Sequence, residues 1–233
     1  MLVKPIKTRV FKEGENLFEF LTKYFKKIPE NSVIVVTSKI VALSEKRTAI
    51  IENIRTKEEI IKKESEVAIP TKHVWMTIRD GLVMASAGID ESNADGKLIL
   101  LPKDSFRAAA SLRRKLQQKY KIKNLGVVIT DSHTVPLRAG ITGVTLGYAG
   151  FRGIKNYTGE ADIFGRKFKF SRVDVADSLA TAAVLVMGEG DEQQPLAIIR
   201  EAPIEFCARV NRKELFIDIA DDMYLPFFSK LPL

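Results

Sequence analysis

The sequence has few of the side chains that bind soft metals. Among its 233 residues there is one cysteine, Cys207, and there are two histidines, His73 and His133, far apart in the chain. One cysteine excludes an intramolecular disulfide and a cysteine-ligated zinc site, and two distant histidines exclude the common histidine-rich metal motifs. A catalytic metal in this protein must therefore be held by oxygen ligands.

Long apolar runs are also missing. The longest cover residues 33–36, 98–101 and 182–187, which are far too short to cross a bilayer, and the first ten residues, MLVKPIKTRV, lack the apolar stretch of a secretory signal. We therefore expect a soluble protein of the reducing cytoplasm, without a membrane partner. With 45% hydrophobic residues and no Pro/Gly/Ser-rich linker, residues 1–233 are expected to form a single unit, built as one body or as two interwoven subdomains.

Acidic residues are fewer than basic ones, 29 against 37, so the formal net charge is +8. Such an excess suits an anionic partner, which can be nucleic acid, a membrane surface or a small phosphorylated or carboxylated molecule. A nucleic-acid surface requires aromatic side chains among the basic ones, and Tyr120 alone does not provide them. The basic clusters are typical of solvated helix faces, and binding to nucleic acid is the disfavoured alternative.

Four familiar catalytic motifs are absent: the G-x-x-x-x-G-K-[ST] and G-x-G-x-x-G phosphate loops, the G-x-S-x-G nucleophile turn and the H-E-x-x-H zinc helix.

The sequence pattern mixes predicted helices and strands without strict alternation. It predicts an α/β or α+β fold with mixed β-sheets flanked by helices. The predicted elements are a helix capped by Asn16, a strand at 33–37 followed by a polar loop, an exposed helix at 57–66, strands at 81–87 and 98–101, a helix from Asp104 or Ser105 to Tyr120, a strand at 125–130, a helix from Asp174 to Met187 and a strand at 196–200.

Oxygen-bearing side chains follow the predicted strands. Asp90, Ser92 and Asn93 share one polar turn, and Asp131 and Ser132 come directly after the strand at 125–130. Oxygen-rich loops suit Mg²⁺ or Mn²⁺, which bind carboxylates together with substrate phosphates. An aspartate after a strand is, however, more often a turn former or a helix cap. Each of these residues taken singly is therefore weak evidence for a metal.

Two further segments can bind a phosphate or a nucleotide. Lys39, after the strand at 33–37, can meet a phosphate as a point charge, with the Ser38 hydroxyl beside it, or it can be an ordinary surface lysine. The segment 187–194 is either an acidic connection or a loop whose backbone wraps a nucleotide, with Glu189 near the metal.

The order of these segments resembles the coenzyme F420-0:L-glutamate ligase family, the γ-glutamyl ligases of the deazaflavin coenzyme. The resemblance covers roughly residues 5–203, and its most specific parts are A-G-I-D-E-S-N and the helix that ends in V-M-G. The matching segments are V-V-T-S-K-I-V (35–41), A-G-I-D-E-S-N (87–93), L-L-P-K-D (100–104), T-D-S (130–132), G-V-T-L-G-Y-A-G (143–150), D-I-F-G-R (162–166) and D-S-L-A-T-A-A-V-L-V-M-G (177–188).

The resemblance implies a γ-glutamyl ligase-like fold, an intertwined homodimer and a ligase that uses GTP or ATP with Mg²⁺ or Mn²⁺. In such an enzyme the nucleotide activates an acceptor carboxylate as an acyl phosphate, and the amine of L-glutamate then attacks it. The positions that match metal-binding residues are Asp90, Asp131, Ser132 and Glu189, of which Asp90 and Asp131 are the catalytic pair. Those that match nucleotide-binding positions are Ser38, Lys39, Asn93, Met187, Gly188, Glu189 and Gly190.

The sequence departs from the family pattern at several of these positions. Leu43 replaces a nucleotide-contacting lysine, Glu189 stands where a glutamine is usual, and Arg138 is expected to supply a nearby cation. The departures leave the acceptor open between an F420-0-like molecule and a folate or another glutamyl acceptor, since relatives of the family act on folates. The apolar segment 216–233 either packs on the body or contacts a second subunit, and the resemblance favours the subunit contact.

Overall fold

A computed structural model describes residues 1–51 and 53–228 of the chain. Its β-strands are β1 (Leu2–Ile6), β2 (Ser32–Thr37), β3 (Thr48–Ile50), β4 (Val67–Pro70), β5 (Trp75–Arg79), β6 (Leu82–Ala85), β7 (Lys97–Ile99), β8 (Leu125–Thr134), β9 (Ile141–Ala149), β10 (Ile154–Asn156), β11 (Arg172–Asp174) and β12 (Leu196–Arg200). Its α-helices are α1 (Leu17–Tyr24), α2 (Ser38–Ser44), α3 (Ile54–Lys63), α4 (Ser105–Tyr120), α5 (Val175–Met187) and α6 (Leu225–Phe228).

The main sheet has five strands in the order β1-β12-β2-β8-β9. β2 and β8 run parallel, with Thr37 paired to Thr130, and the other neighbours are antiparallel. Smaller sheets are formed by β4-β5-β6, by β3-β7 and by β10-β11. The predicted mixed α/β architecture is confirmed, and the carboxyl ends of β2 and β8 lie side by side.

Helices cover both faces of the main sheet. On one face α1 and α4 bury Phe20, Leu21 and Leu116 against β2 and β8. On the other face α5 packs through Ala180 and its other small residues against β9 and the aromatic side chains near it. A strand buried on both faces must be apolar on both, which explains the unbroken V-I-V-V run of β2.

Three helices begin at the caps that the sequence predicts. Asn16 accepts a hydrogen bond from the Glu19 amide at 3.2 Å, and Asp104 accepts one from the Arg107 amide at 2.8 Å. Asp174 does the same for the Asp177 amide at 2.9 Å, and α5 ends at Gly188 as expected. These contacts satisfy amide groups that the first turn of a helix leaves without a partner.

Two expectations near the strand ends were wrong. The predicted polar loop after β2 is helix α2, which begins at Ser38 without an intervening residue. β8 does not end at Thr130 but runs on to Thr134, because the backbone of 130–134 pairs with residues 141–145 of β9. Hydrogen bonds between strand backbones do not depend on the polarity of the side chains. A polar stretch opposite a long partner strand can therefore stay in the sheet.

Other boundaries moved by a few residues. The predicted exposed helix at 57–66 is α3, which starts at Ile54 and buries Ile61. The strand expected at 81–87 gives way to a 3₁₀ turn over Ser86–Gly88, where Ala87 has a φ of 58°. A backbone conformation that non-glycine residues rarely adopt has no signal in the sequence pattern.

The C-terminal segment lies partly on the body of the protein. The ring of Phe216 packs over Gly81, whereas Met223 and Phe227 are mostly exposed. Residues 229–233 of the predicted subunit contact lie outside the described residues, so the contact stays a prediction. Within residues 1–51 and 53–228, no helix has the length and apolar character needed to span a membrane.

Candidate active site

A cleft of about 280 Å³ lies at the carboxyl ends of β2 and β8. Ligands of open α/β sheets bind at this position, because loops that leave neighbouring strand ends converge there. The pairing of Thr37 with Thr130 places the next residues along each strand, Ser38 and Asp131, beside each other. Two more segments close the cleft, the turn before β7 and the connection from α5 to β12. The residues that the sequence analysis assigned to the site all line it: Ser38, Lys39, Asp90, Asn93, Asp131, Ser132, Met187, Gly188, Glu189 and Gly190.

Lys39 and Asp90 form an ion pair inside the cleft. The Lys39 Nζ lies 2.6 Å from Asp90 Oδ2 and donates a hydrogen bond to the Ser92 carbonyl at 2.8 Å. The Ser92 amide donates to Asp90 Oδ1 at 2.7 Å. Burial raises the pKa of Asp90, but the hydrogen bonds from Lys39 and Ser92 outweigh it, so the pKa lies below its usual value. Asp90 is therefore ionised at neutral pH.

Asp131 is in a different environment. Burial raises its pKa to about 7, against the lowering effect of hydrogen bonds from the Ser132 amide and the Ser38 hydroxyl, and the charges of Asp90 and Glu189 add to the rise. The sequence predicts that Asp131 follows the strand, but β8 extends through it. Its half-buried side chain therefore stays in the sheet, bordered by α2 and the connection after α5.

The connection from α5 supplies Glu189 and contacts the opposite wall. Burial raises the pKa of Glu189, although a hydrogen bond from Ser132 lowers it. The Asn93 side chain donates a hydrogen bond to the Gly190 carbonyl at 3.1 Å and so joins two loops that are 97 residues apart in the sequence. Asn93 therefore fixes the spacing of the two acidic walls.

One wall of the cleft, the segment 8–11, is not predicted from the sequence. The Thr8 amide donates to the Gln193 carbonyl at 2.8 Å, and Arg9 is held by Glu15 through two hydrogen bonds. No local pattern marks this segment, because it reaches the site only through the pairing of β1 with β12. Leu43 also lines the cleft, whereas the expected cation Arg138 lies in an exposed turn and is not among the lining residues.

The donors in the cleft fit a hard divalent cation in their chemistry. Asp90, Asp131 and Glu189 provide carboxylates, with hydroxyl groups from Ser38 and Ser132 between them. In the described part of the chain no three His, Cys, Asp or Glu side chains are close enough together to hold an ion as they stand. The carboxylates nevertheless repel one another, which a divalent cation between them would offset.

A mixed α/β sheet with an acidic cleft at its parallel strand ends, bordered by a lysine and a glycine-rich backbone, is the arrangement of a small-molecule-binding protein. The chain belongs to the F420-0:Gamma-glutamyl ligase family, whose family model matches residues 5–201. The family resemblance of the sequence motifs and the predicted fold class are confirmed.

Three relatives are similar in sequence to this chain over 57–91% of their own length. A coenzyme F420:L-glutamate ligase of Methanococcus maripaludis strain C6 is 34% identical over 230 residues, which cover 91% of each chain. The protein of the same name from Methanothermobacter thermautotrophicus is 43% identical over 148 residues, 62% of this chain and 58% of the relative. The one from Methanopyrus kandleri is 41% identical over 145 residues, 61% of this chain and 57% of the relative.

Proposed function

We propose that this protein is a ligase that forms an amide bond between L-glutamate and a carboxylate acceptor of the F420-0 type, at the expense of a nucleoside triphosphate and with Mg²⁺ or Mn²⁺. The observation that carries the proposal is the convergence of ten residues from four separate sequence segments in one cleft of a γ-glutamyl ligase family member. The reaction would take place in the cytoplasm.

The proposed reaction has two steps, formation of an acyl phosphate and its aminolysis by glutamate. The acceptor carboxylate attacks the γ-phosphorus of the nucleotide, which forms an acyl phosphate and releases the nucleoside diphosphate. The amine of glutamate then attacks the acyl carbon, the C–O bond to phosphate breaks, and inorganic phosphate and the amide remain. Phosphoryl transfer depends on positioning and charge neutralisation more than on covalent help from the protein, so a site without a catalytic cysteine or histidine suffices.

The residues of the cleft divide these tasks. Asp90, Asp131, Ser132 and Glu189 would hold the cation, which would neutralise phosphate charge. Lys39 and Ser38 bind the phosphate chain by charge and hydrogen bond, and the backbone from Met187 to Gly190, with Asn93 opposite, holds the nucleotide in place. The ammonium group of glutamate must lose a proton to solvent before it attacks.

A direct assay tests the proposal. We expect purified protein to transfer labelled glutamate to a deazaflavin acceptor only when a nucleoside triphosphate and Mg²⁺ or Mn²⁺ are both present, with one diphosphate released per amide formed. EDTA should stop the reaction. Equal transfer without nucleotide, or no transfer with GTP or ATP under any metal condition, would contradict the proposal.

A different acceptor is the second candidate, because Leu43 lines the cleft at a position where the family resemblance implies a lysine. Leucine offers the ligand no positive charge at this position. It therefore favours an acceptor or nucleotide whose uncharged atoms contact the leucine side chain. Assays with deazaflavin and folate acceptors side by side, each with GTP and with ATP, separate these possibilities. The Leu43→Lys variant should shift the ratio of the rates with GTP and ATP if Leu43 touches the nucleotide.

We also propose a homodimer. The hairpin that carries β10 and β11 exposes four large apolar side chains, and the C-terminal segment exposes more. Those of the hairpin are Ile163, Phe164, Phe170 and Val173. Sedimentation equilibrium should give twice the chain mass, and a monomer at micromolar concentration would contradict this assembly.

A further inference from the structure

Both oxygens of the Asp90 carboxylate have a partner, one in Lys39 and the other in the backbone of Ser92. Oδ2 lies 2.6 Å from the Lys39 ammonium group, and Oδ1 accepts the Ser92 amide at 2.7 Å. The same ammonium group donates to the Ser92 carbonyl at 2.8 Å and contacts the Ser92 hydroxyl oxygen at 3.3 Å. The three acceptors of Lys39 thus belong to the acidic turn, 51 to 53 residues away in the sequence.

This ion pair contributes little to folding. The side chains of Lys39 and Asp90 are 25% and 40% exposed, and partly exposed ion pairs of this kind stabilise a fold only weakly. The loops are joined independently by the hydrogen bond from Asn93 to Gly190. The pair therefore calls for an explanation in terms of the ligands of the cleft.

Under the proposed function, Lys39 and Asp90 each have a second partner in the same reaction. Asp90 would hold the divalent cation, and Lys39 would bind the phosphate chain. A cation on Asp90 Oδ2 would take the position that the ammonium group uses and would repel it. Lysine has four rotatable methylene groups and a compact charge, so it can move to a phosphate without a change in the backbone.

We propose that Lys39 and the divalent cation exchange on Asp90, so that cation binding releases Lys39 to the nucleotide phosphates and the two ligands bind with positive coupling. The inference rests on the proposed function and goes beyond it, because it assigns Lys39 a second role as competitor of the cation. By linkage, the factor by which the cation tightens nucleotide binding equals the factor by which the nucleotide tightens cation binding.

The experiment measures Mn²⁺ binding to the full-length protein by electron paramagnetic resonance, without nucleotide and with saturating GTP. In the wild type we expect GTP to tighten Mn²⁺ binding by about 5- to 150-fold, the usual range of coupling between sites. In Lys39→Met we expect Mn²⁺ alone to bind at least about fivefold tighter than in the wild type, because the competing ammonium group is gone. The effect of GTP on Mn²⁺ binding should fall in the same variant.

The matched control is Lys57→Met. Lys57 pairs with Glu91 in the same acidic turn, but neither side chain lines the cleft. The Lys57→Met variant should bind Mn²⁺ with the same affinity as the wild type. The converse variant, Asp90→Asn, should bind GTP in the presence of EDTA more tightly than the wild type, since Lys39 is no longer held by a carboxylate. This second variant keeps the proposal testable if Lys39→Met does not fold.

Two outcomes would overturn the exchange: Mn²⁺ affinity in Lys39→Met no tighter than in the wild type, or equal gains in Lys39→Met and Lys57→Met, which would show a general charge effect. Neither result contradicts the proposed function if the wild type still joins glutamate to the acceptor in the presence of nucleotide. A wild type that binds neither Mn²⁺ nor nucleotide would instead remove the proposed function, and the exchange with it.

Discussion

Asp131→Asn is expected to abolish amide ligation and, at pH 8, to make the folded protein more stable. The substitution removes a carboxylate that would hold the cation. Stabilisation of phosphoryl transfer by a bound cation is worth several kcal/mol, so we expect the turnover rate to fall by about 10³-fold or more. Asparagine has nearly the same shape, so the neighbouring hydrogen bonds from the Ser132 amide and the Ser38 hydroxyl can persist.

The gain in stability follows from the raised pKa of Asp131, about 7 in the folded protein against 3.8 for the ordinary group. A raised pKa means that the folded state holds a proton that the unfolded chain has lost. The contribution of this group is therefore fully present below pH 4 and is lost as the pH rises through 7. A difference of about three pKa units corresponds to roughly 4 kcal/mol above pH 7.

Urea unfolding of the wild type and Asp131→Asn at several pH values between 4 and 8 measures this difference. The two proteins should be about equally stable at pH 4, and the advantage of Asp131→Asn should grow up to about pH 7. Mn²⁺ should then stabilise the wild type more than the variant, because a ligand that binds the folded state raises the free energy of unfolding. Glu91→Gln, which removes a carboxylate of the acidic turn outside the cleft lining, is the control for loss of one negative charge. An Asp131→Asn protein that is less stable at pH 8 would contradict the raised pKa of this carboxyl group.

Gly143→Ala is expected to destabilise the protein by about 3 kcal/mol or more. β9 and α5 approach each other so closely at Gly143 that an added Cβ would lie 2.4 Å from the Ala180 carbonyl oxygen and 2.7 Å from the Thr181 nitrogen. These are backbone atoms of a helix, which cannot yield as the tip of a side chain can. Relief requires α5 to move away from the sheet, with loss of the hydrogen bond from the Thr181 hydroxyl to the Gly143 carbonyl.

The same movement would reach the active site. α5 ends at Met187, and the next residues form the wall that carries Glu189 and Gly190. We therefore expect Gly143→Ala to lose ligase activity even at temperatures where it stays folded. Gly190→Ala is the control for stability, because its Cβ would meet only the flexible end of Glu192 at 3.5 Å. Denaturant midpoints that are equal for the two variants would refute the close packing of α5 on β9.

Much of the fold could be predicted because its signals are local. Capping side chains reach amides only three residues away, as at Asn16, Asp104 and Asp174, and an apolar run such as that of β2 records burial on both faces of one strand. The candidate site could be predicted in part for another reason. Its residues stand in short segments whose order matches a known family, so their convergence in one cleft was expected before any contact was known.

The sequence by itself determined the oxygen-rich chemistry of the site, the mixed α/β class and the residues that line most of the cleft. Only the tertiary structure decided that β8 extends through Asp131, that burial raises the pKa of this carboxyl group, that Lys39 is held by Asp90, and that residues 8–11 form a wall of the cleft. The extension of β8 depends on its pairing with residues 141–145 of β9, and the other three facts depend on segments much farther away in the sequence. Strand pairing, desolvation and charge separation are set by which distant segments meet, and a local pattern of residue types carries no information about that meeting.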